Sequence, residues 1–439
     1  MSVPCPRAGM LLFGLISFCT LPAVNSSLLM GGDHMPSGKA HCTYKIAPLI
    51  IHTDLSAASI NALADRVKSV LADISAYWKR PVRGPLECFV IDDPGQWKDS
   101  QLPNPLARLV IARVGGATQA RQVGHGIHAR NIVRVFASAK KGVAEHEIVH
   151  AYCGQTFGVA GPLWYQEGMA QLFAIGADRK QGVNCSAEML QQLQSKPRMT
   201  IAQTLAGGQA ARQLFQQFSD KENRCAGLAG EISVADWNQG DERTLEKVKQ
   251  FYCWNWFLCH FLFHDTNYRA CFRKVGQAYL ARREDRFATQ FQPVWRELEF
   301  EYGFTLDHLV KGYRVDLCSW DWEKPFHELP FGHSVRVRIV AARGYQATGV
   351  QVVAGRRYHY RTEGCWSRAR RSSTGGVEHA KGKCLEAVIL HGDELTDPFS
   401  LDCSGDFCAP CTGRLHVRCR TDWDCIAGNE GGVVLVLAR

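Results

Sequence analysis

The chain has 439 residues, a length that suits two domains once a leader is removed. Its formal net charge of +9 is modest for that length, and acidic residues are interspersed with the basic ones. This argues against a nucleic-acid surface; the short cluster Arg368, Arg370 and Arg371 reads as a solvated loop.

Residues 1–26 have the layout of a secretory signal peptide. Arg7 is the charge of the n-region, Met10 to Val24 form the apolar core, and the small residues from Ala23 to Ser27 offer a cut site. The apolar core is short for a transmembrane helix, and no later segment is long enough to span a bilayer. Phe18 before Cys19 argues against a lipoprotein anchor, while an uncleaved N-terminal anchor is the alternative. The expected location is outside the cytoplasm: secreted, periplasmic or at the cell surface. Removing the leader takes away Cys5 and Cys19 and leaves 16 of 18 cysteines, a density that reads as disulfides in an exported protein. Nine lie between Cys42 and Cys318 and seven between Cys365 and Cys425. Both counts are odd, so either one bridge links the regions or each keeps a free thiol, with Cys153 as a candidate.

Residues 42–325 alternate strands and helices. Leu49 to Ile51 is a short apolar run. Asp54 is placed to cap a helix whose apolar positions, Ile60, Leu63, Val67, Val70, Leu71, Ile74 and Trp78, recur at helical spacing. Leu86 to Ile91, Leu109 to Val114 and Ile132 to Ala137 read as strands. The glycine-rich segment Gly115 to Arg130 reads as a loop carrying His125 and His128.

Then comes His146-Glu147-Ile148-Val149-His150. On a helix, His146 and His150 share a face one turn apart, so two neutral imidazoles reach one tetrahedral metal. Glu147 follows the first ligand directly, where its carboxylate meets the attacking water instead of the metal. Val143, Ile148, Val149 and Tyr152 give this helix an apolar side, and Gly154 and Gly158 mark its end. Glu167 stands 17 positions after His150, room for a turn at Gly161-Pro162 and a second helix from Leu163 to Ala174. His146, His150 and Glu167 are thus the expected Zn²⁺ ligands, and Glu147 the general base.

The run Trp164-Tyr165-Gln166-Glu167-Gly168-Met169-Ala170 after His-Glu-x-x-His resembles the gluzincin metallopeptidases. In that group a glutamate of the second helix is the third zinc ligand. Over roughly residues 45–320 the layout also resembles exported bacterial proteins of unknown function in the peptidase MA-like superfamily. The resemblance implies an α+β zincin-like metallopeptidase domain with a zinc cofactor and a peptide or protein substrate. It makes Tyr252 a candidate second donor to the reacting carbonyl, with core packing as its alternative role. The Gly-x-Met-Glu-Asn motif of the aminopeptidases in that group is absent, which points away from that exopeptidase chemistry.

Cys185 to Glu246 is more polar and reads as a covering subdomain. Val248 to Phe263 is an aromatic, apolar helix; its His260 and the following His264 stand at i and i+4 without an accompanying acid and read as core or surface histidines. A further helix is expected from Pro293 to Glu301, separated by Gly303 from a last one near Leu306 to Tyr313.

After Pro325 the pattern changes to short alternating strands with glycine turns: Val335, Val337 and Ile339, then Gly344 to Val352, Gly364-Cys365-Trp366, and Gly413 to Cys419. The expected fold of residues 333–438 is an all-β antiparallel sandwich. It resembles the bacterial galactophilic lectin family, a jelly-roll-like sandwich, which implies Ca²⁺ and a glycan partner near Asp422, Asp424 and Asn429. Cys425 and Gly428 interrupt that loop. Cys408-Ala409-Pro410-Cys411 reads as structural in an exported chain. The expected activity is zinc-dependent endopeptidase cleavage; the alternative is a carbohydrate-binding or adhesion protein with a latent or inactive metallopeptidase-like domain.

Overall fold

The structure, a computed structural model, describes residues 11–13, 41–103, 107–123, 130–175, 185–194, 197–207, 242–283, 287–371, 377–382 and 384–439. The histidines 125 and 128 lie outside the described residues, as does most of the polar segment after Cys185. The chain packs as two compact units. The first comprises residues 1–177, 186–260 and 274–286, and the second residues 178–185, 261–273 and 287–439.

The first unit is built on a six-stranded mixed sheet. Its strands are Leu11–Phe13 (β1), Cys42–Ile46 (β2), Leu49–Thr53 (β3), Leu86–Ile91 (β4), Gly116–Val123 (β5) and Arg130–Ser138 (β6), in the order β1-β5-β6-β4-β3-β2. β3, β4 and β6 run parallel, and β5 returns antiparallel to β6. β1 falls within the segment read as a leader and pairs with β5.

Helix α1 (Ala57–Trp78) joins β3 to β4 and buries all seven apolar positions expected of it. Its cap is Ser56, whose hydroxyl accepts from the Ser59 amide, and not Asp54. The Asp54 carboxylate instead accepts from the amides of Asp92 and Asp93 at 2.8 and 3.0 Å, which ties the end of β3 to that of β4. A second correction concerns Leu109 to Val114. This run lies in a helix, α2 (Ala107–Val114), and the strand begins after it at Gly116, inside the expected loop. A short apolar run does not distinguish the two states by periodicity. Tertiary packing decides here: Ala107 and Ile111, one helical turn apart, join Phe89, Trp97 and Phe136 in one cluster.

α3 (Val143–Phe157) follows β6, and α4 (Leu163–Ile175) follows α3. Gly142 enters α3 at φ 93°, where a side chain would be strained, and Glu145 accepts from the Gly142 amide at 3.0 Å. α3 ends at Gly158, in the left-handed conformation, and Gly154 is accommodated inside the helix. α5 (Ala187–Gln194) and the long aromatic α6 (Glu242–His264) follow, then α7 (Arg269–Leu280).

In the second unit α8 (Phe287–Phe291) is followed by α9 (Trp295–His308), which runs through Gly303 without a break. Gly303 faces open space. Glycine costs a helix about 1 kcal/mol relative to alanine, and the buried Leu298, Tyr302 and Leu306 outweigh it.

Among the described residues twelve strands follow: His327–Glu328 (β7), Ser334–Val340 (β8), Gln346–Val352 (β9), Arg357–Glu363 (β10), Trp366–Arg371 (β11), Val377–Gly382 (β12), Leu385–His391 (β13), Glu394–Leu395 (β14), Phe399–Leu401 (β15), Ser404–Cys408 (β16), Gly413–Cys419 (β17) and Glu430–Ala438 (β18). They form two sheets, ordered β12-β11-β18-β10-β16 with β8 paired to β18, and β14-β13-β17-β9-β7 with β15 paired to β13. All their pairings are antiparallel except β7 with β9, which is parallel. Inward residues of both sheets, among them Ile339, Tyr358, Ile389, Val417 and Leu435, share one apolar core.

Among the described residues no disulfide joins two cysteines. Cys153 and Cys318 lie in the cores as small apolar side chains, and burial pushes both thiols up to about 12.

Candidate metal centre

The first unit brings His146, His150 and Glu167 together, and among the described residues this is the one group of three metal-ligand side chains that converges. His146 Nε2 and His150 Nε2 stand 3.1 Å apart. Glu167 Oε2 is 3.3 Å from the first and 3.4 Å from the second. Arms of about 2.0–2.1 Å meeting at tetrahedral angles set their ends roughly 3.3–3.4 Å apart, so this triangle has the dimensions of three zinc ligands. The donor set, two imidazoles and one carboxylate, also suits zinc.

The local fold explains the convergence. One turn of α3 separates the histidines, and the turn at Gly161, with φ 95°, sends α4 back beside α3. Gly168, next to Glu167, admits α6. A Cβ there would stand 2.5 Å from both the Asn255 carbonyl oxygen and the Cys259 sulfur. The glycine thus lets α6 pack against α4 at the site, and α6 carries Tyr252, whose ring centre is 6.1 Å from that of His146.

Gln171, one turn after Glu167, supports the first histidine: its Oε1 lies 3.2 Å from His146 Nδ1. An amide oxygen only accepts, so Nδ1 carries the proton and Nε2 turns its lone pair to the centre. The Gln171 amide group in turn donates to Met189 Sδ at 3.8 Å.

His146, Glu147 and Glu167 are 0% exposed and His150 1%, so their charges are set by one another and not by water. Burial opposes ionisation of Glu167, yet the charge of His150 and the close approach of both histidines outweigh it and hold the carboxyl at about 2. Burial likewise opposes the charged form of His150, and the neighbouring Glu167 carboxylate reverses that and raises it. Glu147 is pushed above the usual carboxylate range by burial, against the pull of His146 and His150. Burial and the charges of Glu167 and Glu147 push the Tyr252 phenol well above its ordinary value. It stays protonated, a donor, at any working pH.

Glu147 is not part of the ligand triangle. Its Oε2 accepts from the Thr118 hydroxyl at 2.9 Å, while its Oε1 meets no protein donor. An orphaned buried carboxylate oxygen beside three converged ligand atoms is the arrangement expected of a base awaiting a water.

The other candidate residues do not join this site. The His260 ring stacks on Trp256 at 4.9 Å, and no second group of ligands gathers around His260, His264 or Cys408 and Cys411 among the described residues. Asp422 and Asp424 are exposed and gather no ligand group among the described residues. The Asn429 side chain bridges backbone, donating to the Ala341 carbonyl at 3.0 Å and accepting from the Ala369 amide at 2.9 Å.

Sequence reading missed Thr118, Gly116 and Gln171. Gln171 is at helical spacing from Glu167 and could have been found that way; the two β5 residues carry no local signal. No family model matches this chain, and no curated protein is similar to it in sequence.

Proposed function

We propose that this protein is a zinc-dependent peptide-bond hydrolase acting as an endopeptidase. What carries the reading is the His146–His150–Glu167 triangle with the unpartnered Glu147 Oε1 beside it. The resemblance of the two helices to the gluzincin pattern agrees with it. Zinc, when bound, would supply a Lewis acid that polarises the scissile carbonyl and acidifies water.

The chain's own residues do the rest. Gln171 holds His146 in the tautomer that ligates. Glu147 takes the proton of the attacking water and carries it to the leaving amine. Its burial raises its basicity above that of an ordinary carboxylate, which suits that task. Tyr252 donates its hydroxyl proton as a hydrogen bond to the carbonyl oxygen while negative charge builds there.

One observation favours a second reading, in which the site is latent. All four side chains are shielded from solvent, so a peptide reaches them only after neighbouring chain moves aside.

One experiment addresses both. Zinc content and cleavage of an unbiased peptide mixture are measured for the full chain and for Glu147→Gln. The variant is expected to bind zinc as wild type does and to lose roughly 10²–10⁴-fold in kcat. Undiminished turnover in Glu147→Gln would sink the mechanism. Zinc bound one to one without cleavage would select the latent form.

A further inference from the structure

The two oxygens of Glu147 stand in different surroundings, and β5 creates the difference. Thr118 and Gly116 are two residues apart, so they face the same side of the strand, toward α3. Thr118 is 0% exposed, and its hydroxyl oxygen is 2.9 Å from Glu147 Oε2 and 2.8 Å from the Glu147 carbonyl oxygen. A hydroxyl has one proton to give. The carbonyl belongs to the helix ladder, and an ionised carboxylate is the stronger acceptor. At Gly116 an added Cβ would stand 2.9 Å from Glu147 Cγ, 2.9 Å from Val143 Cγ1 and 3.1 Å from Glu147 Oε1. Any side chain there would meet the carboxylate arm itself.

We propose that Gly116 and Thr118 are positioning residues for Glu147: the glycine leaves room for its side chain along β5, and the threonine hydroxyl anchors Oε2 and leaves Oε1 unpartnered, the oxygen to which a water would be held. This rests on the reading of Glu147 as the base. A glutamate has three side-chain torsions, and α3 alone does not choose among them. An anchor on one oxygen removes that freedom before a water arrives. Neither residue touches the ligand triangle, so both act through Glu147.

The test uses the full chain with Thr118→Val, which keeps the shape and removes the hydroxyl, Thr118→Ser, which keeps the hydroxyl, and Gly116→Ala. Two readouts are taken: kcat and KM on a cleaved peptide, and the Glu147 carboxylate position in crystals of metal-free and zinc-loaded protein. Thr118→Val is expected to lower kcat roughly 10- to 100-fold at unchanged KM and zinc content, with the carboxylate displaced or split between rotamers. Thr118→Ser is expected to behave as wild type in both readouts, and Gly116→Ala to displace the carboxylate with zinc retained.

The proposal is overturned if Thr118→Val keeps both the wild-type kcat and the carboxylate position. It is equally overturned if Thr118→Ser is as damaged as Thr118→Val, because the methyl contact would then be what matters. Should Thr118→Val not fold, the serine and Gly116 variants decide by carboxylate position. Should the wild type cleave nothing, the hydrolase reading fails while the crystallographic comparison still decides the role of Thr118.

Discussion

Each unit buries glutamate, and Glu301 in the second is treated in the opposite way to Glu147 and Glu167 in the first. In the second unit Glu301 is 2% exposed and both of its oxygens accept hydrogen bonds. Oε1 accepts from Asn267 at 3.0 Å, the Tyr268 hydroxyl at 2.8 Å and the Trp322 indole at 2.5 Å; Oε2 accepts from the Trp320 amide at 3.1 Å. In the first unit, Glu147 and Glu167 are more deeply buried, yet Oε1 of each accepts no hydrogen bond of good geometry. A buried carboxylate is costly unless its lone pairs are used. Glu301 uses them to hold a loop and a helix end together. The pair in the first unit leaves one oxygen of each unused, as a site does that is completed by a metal and a water.

The contrast is open to measurement. The largest stability effect is expected at Glu301. Glu301→Leu strands the buried Tyr268 hydroxyl and Trp320 amide and the half-buried Trp322 indole, and should lower unfolding free energy by roughly 3–5 kcal/mol without changing zinc affinity. Denaturant titration showing a loss below about 1 kcal/mol would mean that the network carries no weight.

A second sensitivity of this unit is to acid. Burial holds the His416 imidazole down to about 4, against an ordinary value of 6.5, with its ring packed on Trp320 and Phe326. The unfolded chain takes up this proton near pH 6.5 and the folded chain only near 4, so falling pH favours unfolding across that window. The loss is on the order of 3 kcal/mol. His416→Gln should remove that part of the acid sensitivity, and identical pH profiles for the two proteins would contradict the assignment.

The smallest expected effect lies at the metal centre and has the opposite sign. Replacing Glu147 with glutamine removes a strained charge, so the metal-free variant should melt no lower than wild type. A clear loss of stability there would place Glu147 with Glu301 among structural carboxylates.

The same contrast governs what the sequence disclosed. The ligands and the base were legible because their chemistry demands fixed spacings: i and i+4 for His146 and His150, and a second helix for Glu167. The apolar face of α1 and the alternation of β8 were legible because burial imposes a period, whereas α3 is buried on all sides and has no such face. What was not legible depended on contacts between distant segments. Leu109 to Val114 has no period that separates helix from strand, and only its packing on Trp97 and Phe136 decides it. Gly116 and Thr118 looked like part of a glycine-rich loop, and their purpose exists only because β5 lies against α3. Gly303 looked like a helix break and is tolerated because the opposite face of α9 is buried. Glu301 carries no motif at all, since its four donors come from two segments, 267–268 and 320–322.

The most direct test of the central claim is a crystal of the full chain grown with zinc and measured across the zinc absorption edge. The account predicts one anomalous peak about 2.0–2.1 Å from His146 Nε2, His150 Nε2 and a Glu167 oxygen, lost when Glu167 is replaced by alanine. A protein that stays metal-free in saturating zinc, or that binds the ion elsewhere, would contradict it.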